Sequence, residues 1–376
     1  MRETVTVDRP RTGAASPVEA QLAAFLRERT DQAARYGAQF ARLWEAAADC
    51  LLGGKMLRPR LLLGVFDALA GESEQPLDSE TRAAAVRLAA AVELLHYAFL
   101  LHDDVIDGDL TRRHRPNLIG LIAQDAHPEP LGDRSARERE EPPAGLQWGR
   151  SGAILMGDLM LTAALQAFAR ESLPQEARLR LLDALDRTIT ESVAGEQLDI
   201  GLGLGTVTAE LDAILSMSRW KTAAYTFELP MRAGAVLAGA APGLEAFLAR
   251  AGRHLGLAFQ LQDDLLSVFG SPAEHGKDAY SDLREGKETA IIAYARMTSV
   301  WPSIEPMLGS PDLREQDGLA IRAMLSECGA EQFTRSLVEE QLAACLRLLS
   351  DSEEEVPRPL ARLLVGLVAR IEGRST

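Results

Sequence analysis

The sequence predicts an all-α protein built around one large core, and three observations carry that prediction. Hydrophobic residues make up 47% of the chain but aromatics only 5%, an alanine- and leucine-rich mixture that favours closely packed helices over a β-sandwich. Apolar residues recur with helical spacing in one segment after another, and no strand pattern competes. A length of 376 residues could hold two average domains, yet all-helical enzymes of this size fold around a single core.

Residues 1–16 are polar, contain proline and are expected to be disordered, so the folded domain is read as 17–376. From Pro17, QLAAFLRERTDQAARYGAQFARLWEAAADCLL carries helical periodicity until Gly53 and Gly54 end it. A helix restarts near Pro59, and the polar stretch GESEQPLDSE leads into VRLAAAVELLHYAFLL, whose apolar length marks a core helix. Residues 121–147 hold four prolines and many charges, which predicts a surface loop or lid. Helices are expected again from Gly152 to about Glu191, over 207–240 and over 243–269. The polar segment SPAEHGKDAYSDLREGKETA follows as a loop, and helices with short polar breaks complete the chain.

A formal charge of −15 argues against nucleic acid or an anionic membrane surface as partner. Cys50, Cys328 and Cys345 have no metal-ligand spacing and an odd count, which fits a reducing compartment and buried small side chains. The N-terminus lacks an apolar signal region, and charges such as Arg87 and Glu93 interrupt the long apolar stretches. A cytoplasmic protein without a transmembrane segment is expected.

Two aspartate clusters close apolar runs: LLHDDVID, ending at Asp107, and FQLQDDLLS, ending at Ser267. On a helix Asp103, Asp104 and Asp107 fall within an arc of roughly 100°, where like charges three and four apart repel unless a cation sits among them. A solvated acidic helix end is the bland alternative, but aspartate favours the N-terminus of a helix and these follow a long apolar run. Oxygen donors without cysteine or a histidine pair suit Mg²⁺, an ion usually shared with substrate phosphates. Asp263 and Asp264 repeat the context. A diphosphate between the clusters needs basic groups: Lys55 and Arg58 stand at a helix start, Arg112 and Arg113 follow the first cluster, and Lys221, Lys277 and Lys287 occur singly. His96 lies two turns before Asp103; a core histidine is the commoner role for it and for His102.

Taken in order, GGKMLRP, ELLHYAFLLHDDVIDGDLTRR, MGDLM, GEQLD, KTAAYTFELP, FQLQDDLL and GKDAYSDLREGKET resemble the trans-type isoprenyl diphosphate synthases, with wording most like actinobacterial geranylgeranyl diphosphate synthases. The resemblance implies a helical bundle with a deep central cavity, a homodimer, and condensation of isopentenyl diphosphate with an allylic diphosphate. It further implies that Asp103, Asp104, Asp107, Asp263 and Asp264 hold Mg²⁺, three ions per site. Arg112, Lys221 and Lys277 would hold the allylic diphosphate, with Lys55, Arg58, His96 and Arg113 on isopentenyl diphosphate and Lys287 further out. Thr222 and Gln260 would line the reacting carbon.

Ser267 stands where that family commonly has a third aspartate, and the 121–147 insertion is a second departure. Phe99 and Ala98, four and five positions before Asp103, lie about one turn deeper on the helix; in that family a bulky residue there acts as the floor of the prenyl pocket, so the resemblance implies a C20 product from this one large and one small side chain, with Tyr97 or Leu95 as alternative floors. Farnesyl or longer synthases, a class I terpene cyclase and a regulatory subunit are the competing readings; the set Lys55, Arg58 and His96 speaks against a cyclase.

Overall fold

The computed structural model describes residues 16–71, 78–112, 115–126, 143–270, 280–310, 312–352 and 354–374. The expected disorder of residues 1–15, the middle of the insertion, Arg113 and Lys277 lie outside the described residues.

Helix α1 (Pro17–Ala33) starts at a capping box: the Ser16 hydroxyl accepts from the Glu19 amide while the Glu19 carboxylate accepts from the Ser16 amide. The one helix expected up to Gly53 is two. Gly37 at φ +107° takes a conformation that side chains disfavour, and α2 (Ala38–Leu51) begins after it. Periodicity continues across the break, so apolar spacing alone cannot reveal it. Then follow α3 (Leu57–Ala70), α4 (Ser79–Asp107), a two-residue ladder of β1 (Thr111–Arg112) with β2 (Arg115–Pro116), α5 (Leu118–Ala126), α6 (Ala144–Arg170) and α7 (Gln175–Gly203). Residues 121–126 complete α5 and 144–147 open α6, so the expected loop is narrower than 121–147.

The span 207–240 resolves into α8 (Leu211–Ser218), a ten-residue π-helix (Arg219–Glu228) and α9 (Leu229–Leu237), before α10 (Pro242–Phe269). Six helices complete the described chain: α11 (Ser281–Glu285), α12 (Ala290–Arg296), α13 (Trp301–Ile304), α14 (Glu315–Glu327), α15 (Ala330–Asp351) and α16 (Arg358–Glu372).

Two central helices carry the aspartate clusters. Ala85, Leu88, Ala89, Val92, Leu95 and Ala98 of α4 have no exposed surface, and its alanines let α1, α3 and α6 pack closely around it. Each fully buried leucine contributes about 1.5–3 kcal/mol. Helix α10 buries Leu255, Ala258, Leu261 and Leu265 against α9, α15 and the π-helix. Helices α4 and α6 are each long and apolar enough to cross a membrane; the apolar window of α4 is 72% buried in the protein, that of α6 only 39%. Cys345 is buried as expected, whereas Cys50 and Cys328 are half-buried.

Candidate active site

Gly108, at φ +77°, caps α4 directly after Asp107 and donates its amide to the Asp104 carbonyl. The strands β1 and β2 then pair antiparallel, tied down by buried Asn117, which donates to the Asp109 carbonyl and accepts from the Gly120 amide. That pairing lays Arg112 over the helix end. Its guanidinium meets Asp104 Oδ1 at 2.5 and 3.1 Å and Asp103 Oδ2 at 3.3 Å. Lys221 approaches from the π-helix, 3.1 Å from Asp103, 3.0 Å from Glu196 and 2.6 Å from Asp199. Lys287, on the loop after α11, lies 3.9 Å from Asp107 and 2.9 Å from Glu285, bridging the end of α4 to the segment beyond α10.

A π-helix is wider than an α-helix and recurs at functional sites. Three glycines make room for this one: a Cβ on Gly195 would stand 2.2 Å from the Lys221 amide nitrogen, one on Gly256 2.4 Å from Ala223 Cβ, and one on Gly252 2.9 Å from Glu228 Cα. The segment presents Lys221, Thr222 and Tyr225. The Tyr225 ring stacks with His96 at 5.7 Å, meets Phe99 edge-on at 5.2 Å and takes the Arg58 guanidinium at 4.7 Å from its centroid. Arg58 also donates to the Thr226 hydroxyl at 2.8 Å. Lys55 is exposed just before Met56, which adopts a left-handed conformation at φ +51° and opens α3 with no side-chain cap. The amides of that first turn and the charges of Lys55 and Arg58 therefore share one anion-attracting end.

In the second cluster Asp264 accepts from Gln260 Nε2 at 2.8 Å, and Asp263 pairs with Arg374 at 2.8 Å. Ser267 is buried and donates its hydroxyl to the Asp264 carbonyl at 2.9 Å, so it replaces the third carboxylate with a group spent on its own helix.

Burial sets the electrostatics, and the carboxylates outnumber the cations. Desolvation pushes Asp104 up to about 6 against Arg112, and Asp107 up to about 6, reinforced by the charge of Asp103. Burial raises Asp103 too, but Lys221 and Arg112 outweigh it and hold the group below the usual range. Burial opposes the Lys221 ammonium, yet Asp103, Asp199 and Glu196 together keep it above the ordinary lysine value. Among the described residues, Asp103, Asp104, Asp107, Glu196 and Asp199 face three cations, Arg112, Lys221 and Lys287. That negative excess, all on oxygen donors, fits a hard divalent cation. Among the described residues no three acidic, histidine or cysteine side chains already form a metal cage; the carboxylates turn to basic side chains instead.

A pH dependence follows. The native forms of Asp104 and Asp107 bind protons more tightly than the unfolded chain, so these groups make the metal-free protein less stable as pH rises from about 4 to beyond 6. A divalent ion needs Asp107 deprotonated as a ligand and gains from the negative charge of Asp104 beside it. Added Mg²⁺ is expected to raise the melting temperature markedly at pH 7.5 and little at pH 5.5, as read by thermal unfolding. An equal rise at both values would contradict it.

The structure thus brings Asp103, Asp104, Asp107, Arg112, Lys221 and Lys287 together, gathers Arg58, His96 and Phe99 on Tyr225, and keeps Gln260 on Asp264. Thr222 is half-buried on the π-helix. Lys221 is half-buried within three carboxylates rather than free on the surface. Sequence reasoning missed Glu196, Asp199, Tyr225 and Arg374. Glu196 and Asp199 sit three apart in GEQLD, so the like-charge argument applied to the first cluster would have found them; nothing local marks Tyr225 or Arg374.

The polyprenyl synthetase family model matches residues 41–126 and 131–311. The chain is 32% identical over 287 residues to geranylfarnesyl diphosphate synthase of Aeropyrum pernix, covering 76% of this chain and 79% of that protein. It is 33% identical over 284 residues to (2E,6E)-farnesyl diphosphate synthase of Mycobacterium tuberculosis, covering 73% and 67%. A geranylgeranyl pyrophosphate synthase from Corynebacterium glutamicum, solved in complex with isoprenyl diphosphate and magnesium, matches with a TM-score of 0.83 at 30% identity, over 95% of this chain and 98% of that one.

Proposed function

The chain belongs to the polyprenyl synthetase family and is a prenyltransferase that makes trans-prenyl diphosphates, and we propose from that premise that it joins isopentenyl diphosphate to an allylic diphosphate to give geranylgeranyl diphosphate (C20). The observation that carries the reading is the pairing of Asp103 with Lys221 and Arg112. Carboxylates neutralised by lysine and arginine are ready to trade partners, the carboxylates for a divalent cation and the basic groups for diphosphate oxygens.

Bound between the motifs, Mg²⁺ would supply the charge that stabilises departing diphosphate. We assign its holders as Asp103 and Asp107 on α4 and Asp263 and Asp264 on α10, three ions in all; Asp104, which the resemblance also implies as a holder, is buried against Arg112 and is assigned to anchoring it. Lys221, Arg112 and Lys277 grip the allylic diphosphate. Lys55, Arg58, His96 and Arg113 grip the other, with Lys287 at the mouth. Thr222 and Gln260 face the reacting carbon. The allylic C–O bond breaks, the alkene of isopentenyl diphosphate forms the new C–C bond, and the proton it then loses passes to the released diphosphate. No side-chain nucleophile is needed, and the apolar, water-excluding cavity that the family resemblance implies would protect the cation.

The relatives are named for products of different length, so product size is argued from the side chains one turn before Asp103. Phe99 is half-buried one turn before Asp103 and braced by Tyr225, whereas Ala98 and Leu95 are fully buried in the core. We assign Phe99 as the floor. Phe99→Ala is expected to shift products toward longer chains on chromatographic sizing; an unaltered distribution would remove Phe99 from that role.

The half-exposed face of α6 supports a homodimer. Trp148, Leu155 and Leu159 are 55%, 59% and 37% exposed and lie seven and four residues apart, one apolar stripe along the helix. A second copy of the chain is the partner we propose for it. Free thiols and the acidic charge support a cytoplasmic setting.

One assay tests the activity. The purified chain with Mg²⁺, isopentenyl diphosphate and primers of five, ten or fifteen carbons should yield linear prenyl diphosphates. A cyclic hydrocarbon would favour a terpene cyclase, and silence until a partner is added a regulatory subunit.

A further inference from the structure

Arg374 follows α16, far along the chain from the motifs, yet its guanidinium reaches into the second one. Nη2 lies 2.8 Å from Asp263 Oδ1, the plane rests 4.2 Å from the Phe259 ring centroid, and the Arg374 carbonyl accepts from Gln262 Nε2 at 3.3 Å. Side chain and backbone are thus both fastened to α10, on residues that flank the acidic pair. The fastening is incomplete: Nη1 is enclosed and has no hydrogen-bond partner. A guanidinium carries five N–H donors in a rigid fork, and leaving the two on Nη1 enclosed without an acceptor weakens the pose they belong to. A cation held in a half-satisfied pose on a carboxylate is a cation that another charge can displace.

The second motif gives that displacement consequences. Ser267 has its hydroxyl on the Asp264 carbonyl, and Asp264 is engaged by Gln260. Asp263 is therefore the carboxylate on which this motif most depends for a metal ion, and it is the one that Arg374 covers.

We propose that Arg374 is a latch on the second aspartate motif: it occupies the cation position at Asp263 and must give it up before a divalent ion binds there. The inference rests on the reading of the aspartates as metal holders. Arg374 is a positioning residue on this account. It sets the metal concentration at which the second motif fills, with no contact to substrate required of it.

The test measures binding of Mn²⁺ alone, by electron paramagnetic resonance, to the full chain. The first motif is silenced by Asp103→Asn and Asp107→Asn so that the second reports by itself. Adding Arg374→Ala is expected to tighten Mn²⁺ binding at least threefold, and to enlarge the Mn²⁺-induced rise in melting temperature. Arg374→Lys, which keeps a charge but loses the fork and the stacking on Phe259, is expected to fall between. Unchanged or weaker Mn²⁺ binding in Arg374→Ala overturns the latch. Mn²⁺ bound by the unmodified chain, but by neither silenced variant, also overturns it while leaving the first motif's role standing. No Mn²⁺ bound by the unmodified chain overturns the metal reading on which the latch rests.

Discussion

Replacing Asp103 by asparagine is expected to lower condensation about a thousand-fold or more while the chain stays folded. The side chain keeps its shape, so the packing of α4 is undisturbed. What goes is one negative charge at the point where Lys221, 3.1 Å away, and Arg112, 3.3 Å away, converge. Lys221 retains Glu196 and Asp199, which holds the π-helix in place. A divalent ion loses a ligand that asparagine, with a neutral carbonyl, replaces weakly. Asp104→Asn should nearly abolish turnover too, by another route: the buried Asp104 takes two contacts from Arg112, so its loss frees that guanidinium and loosens the β1–β2 ladder it belongs to. Steady-state turnover against Mg²⁺ separates them. Asp103→Asn should demand more metal, whereas Asp104→Asn should stay slow at any metal concentration. A fall of less than tenfold for Asp103→Asn would contradict its place at the metal.

Why the first cluster was legible and much of its surroundings was not comes down to sequence distance. Asp103, Asp104 and Asp107 share one helix face by spacing alone, and like charges so placed demand a cation whatever the fold. The order of helices was legible for the same local reason, because apolar residues three and four apart give a helix its buried face. Gly37 hid because one glycine in a periodic run reads as a tolerated defect until the structure places it at φ +107°. The π-helix hid more thoroughly. Its residues, RWKTAAYTFE, would also suit an α-helix, and what widens the turn is the fit against Gly195 on α7 and Gly252 and Gly256 on α10. The same tertiary fit sets Tyr225 among Arg58, His96 and Phe99, residues drawn from two other elements. Ser267 taught something only in structure: its hydroxyl turns to the helix backbone.

The glycines that seat the π-helix therefore yield the second large expected effect. In Gly195→Ala the new Cβ meets the Lys221 amide nitrogen at 2.2 Å, Lys221 Cα at 2.7 Å and the Trp220 carbonyl carbon at 2.8 Å. All three are backbone, so no rotamer relieves the clash, and the π-helix must move off α7 by roughly an ångström. Overpacking of this kind costs about 1–3 kcal/mol of stability. The larger consequence is chemical. Lys221 and Thr222 ride on the displaced segment, and misplacing a positioning group by about an ångström lowers turnover about a hundred-fold. Gly256→Ala acts from the opposite side, meeting Ala223 Cβ at 2.4 Å and Cα at 2.6 Å. Adding Ala223→Gly removes the nearer of those atoms and is expected to recover part of the stability and activity; no equivalent change can rescue Gly195→Ala. Gly203→Ala, two turns further along α7 with nothing within 4 Å, serves as the control and should leave both quantities near their starting values. Melting temperature and turnover measured across these variants distinguish a displaced segment from a merely destabilised one. If Gly195→Ala kept full turnover, the site would not depend on the seating of the π-helix.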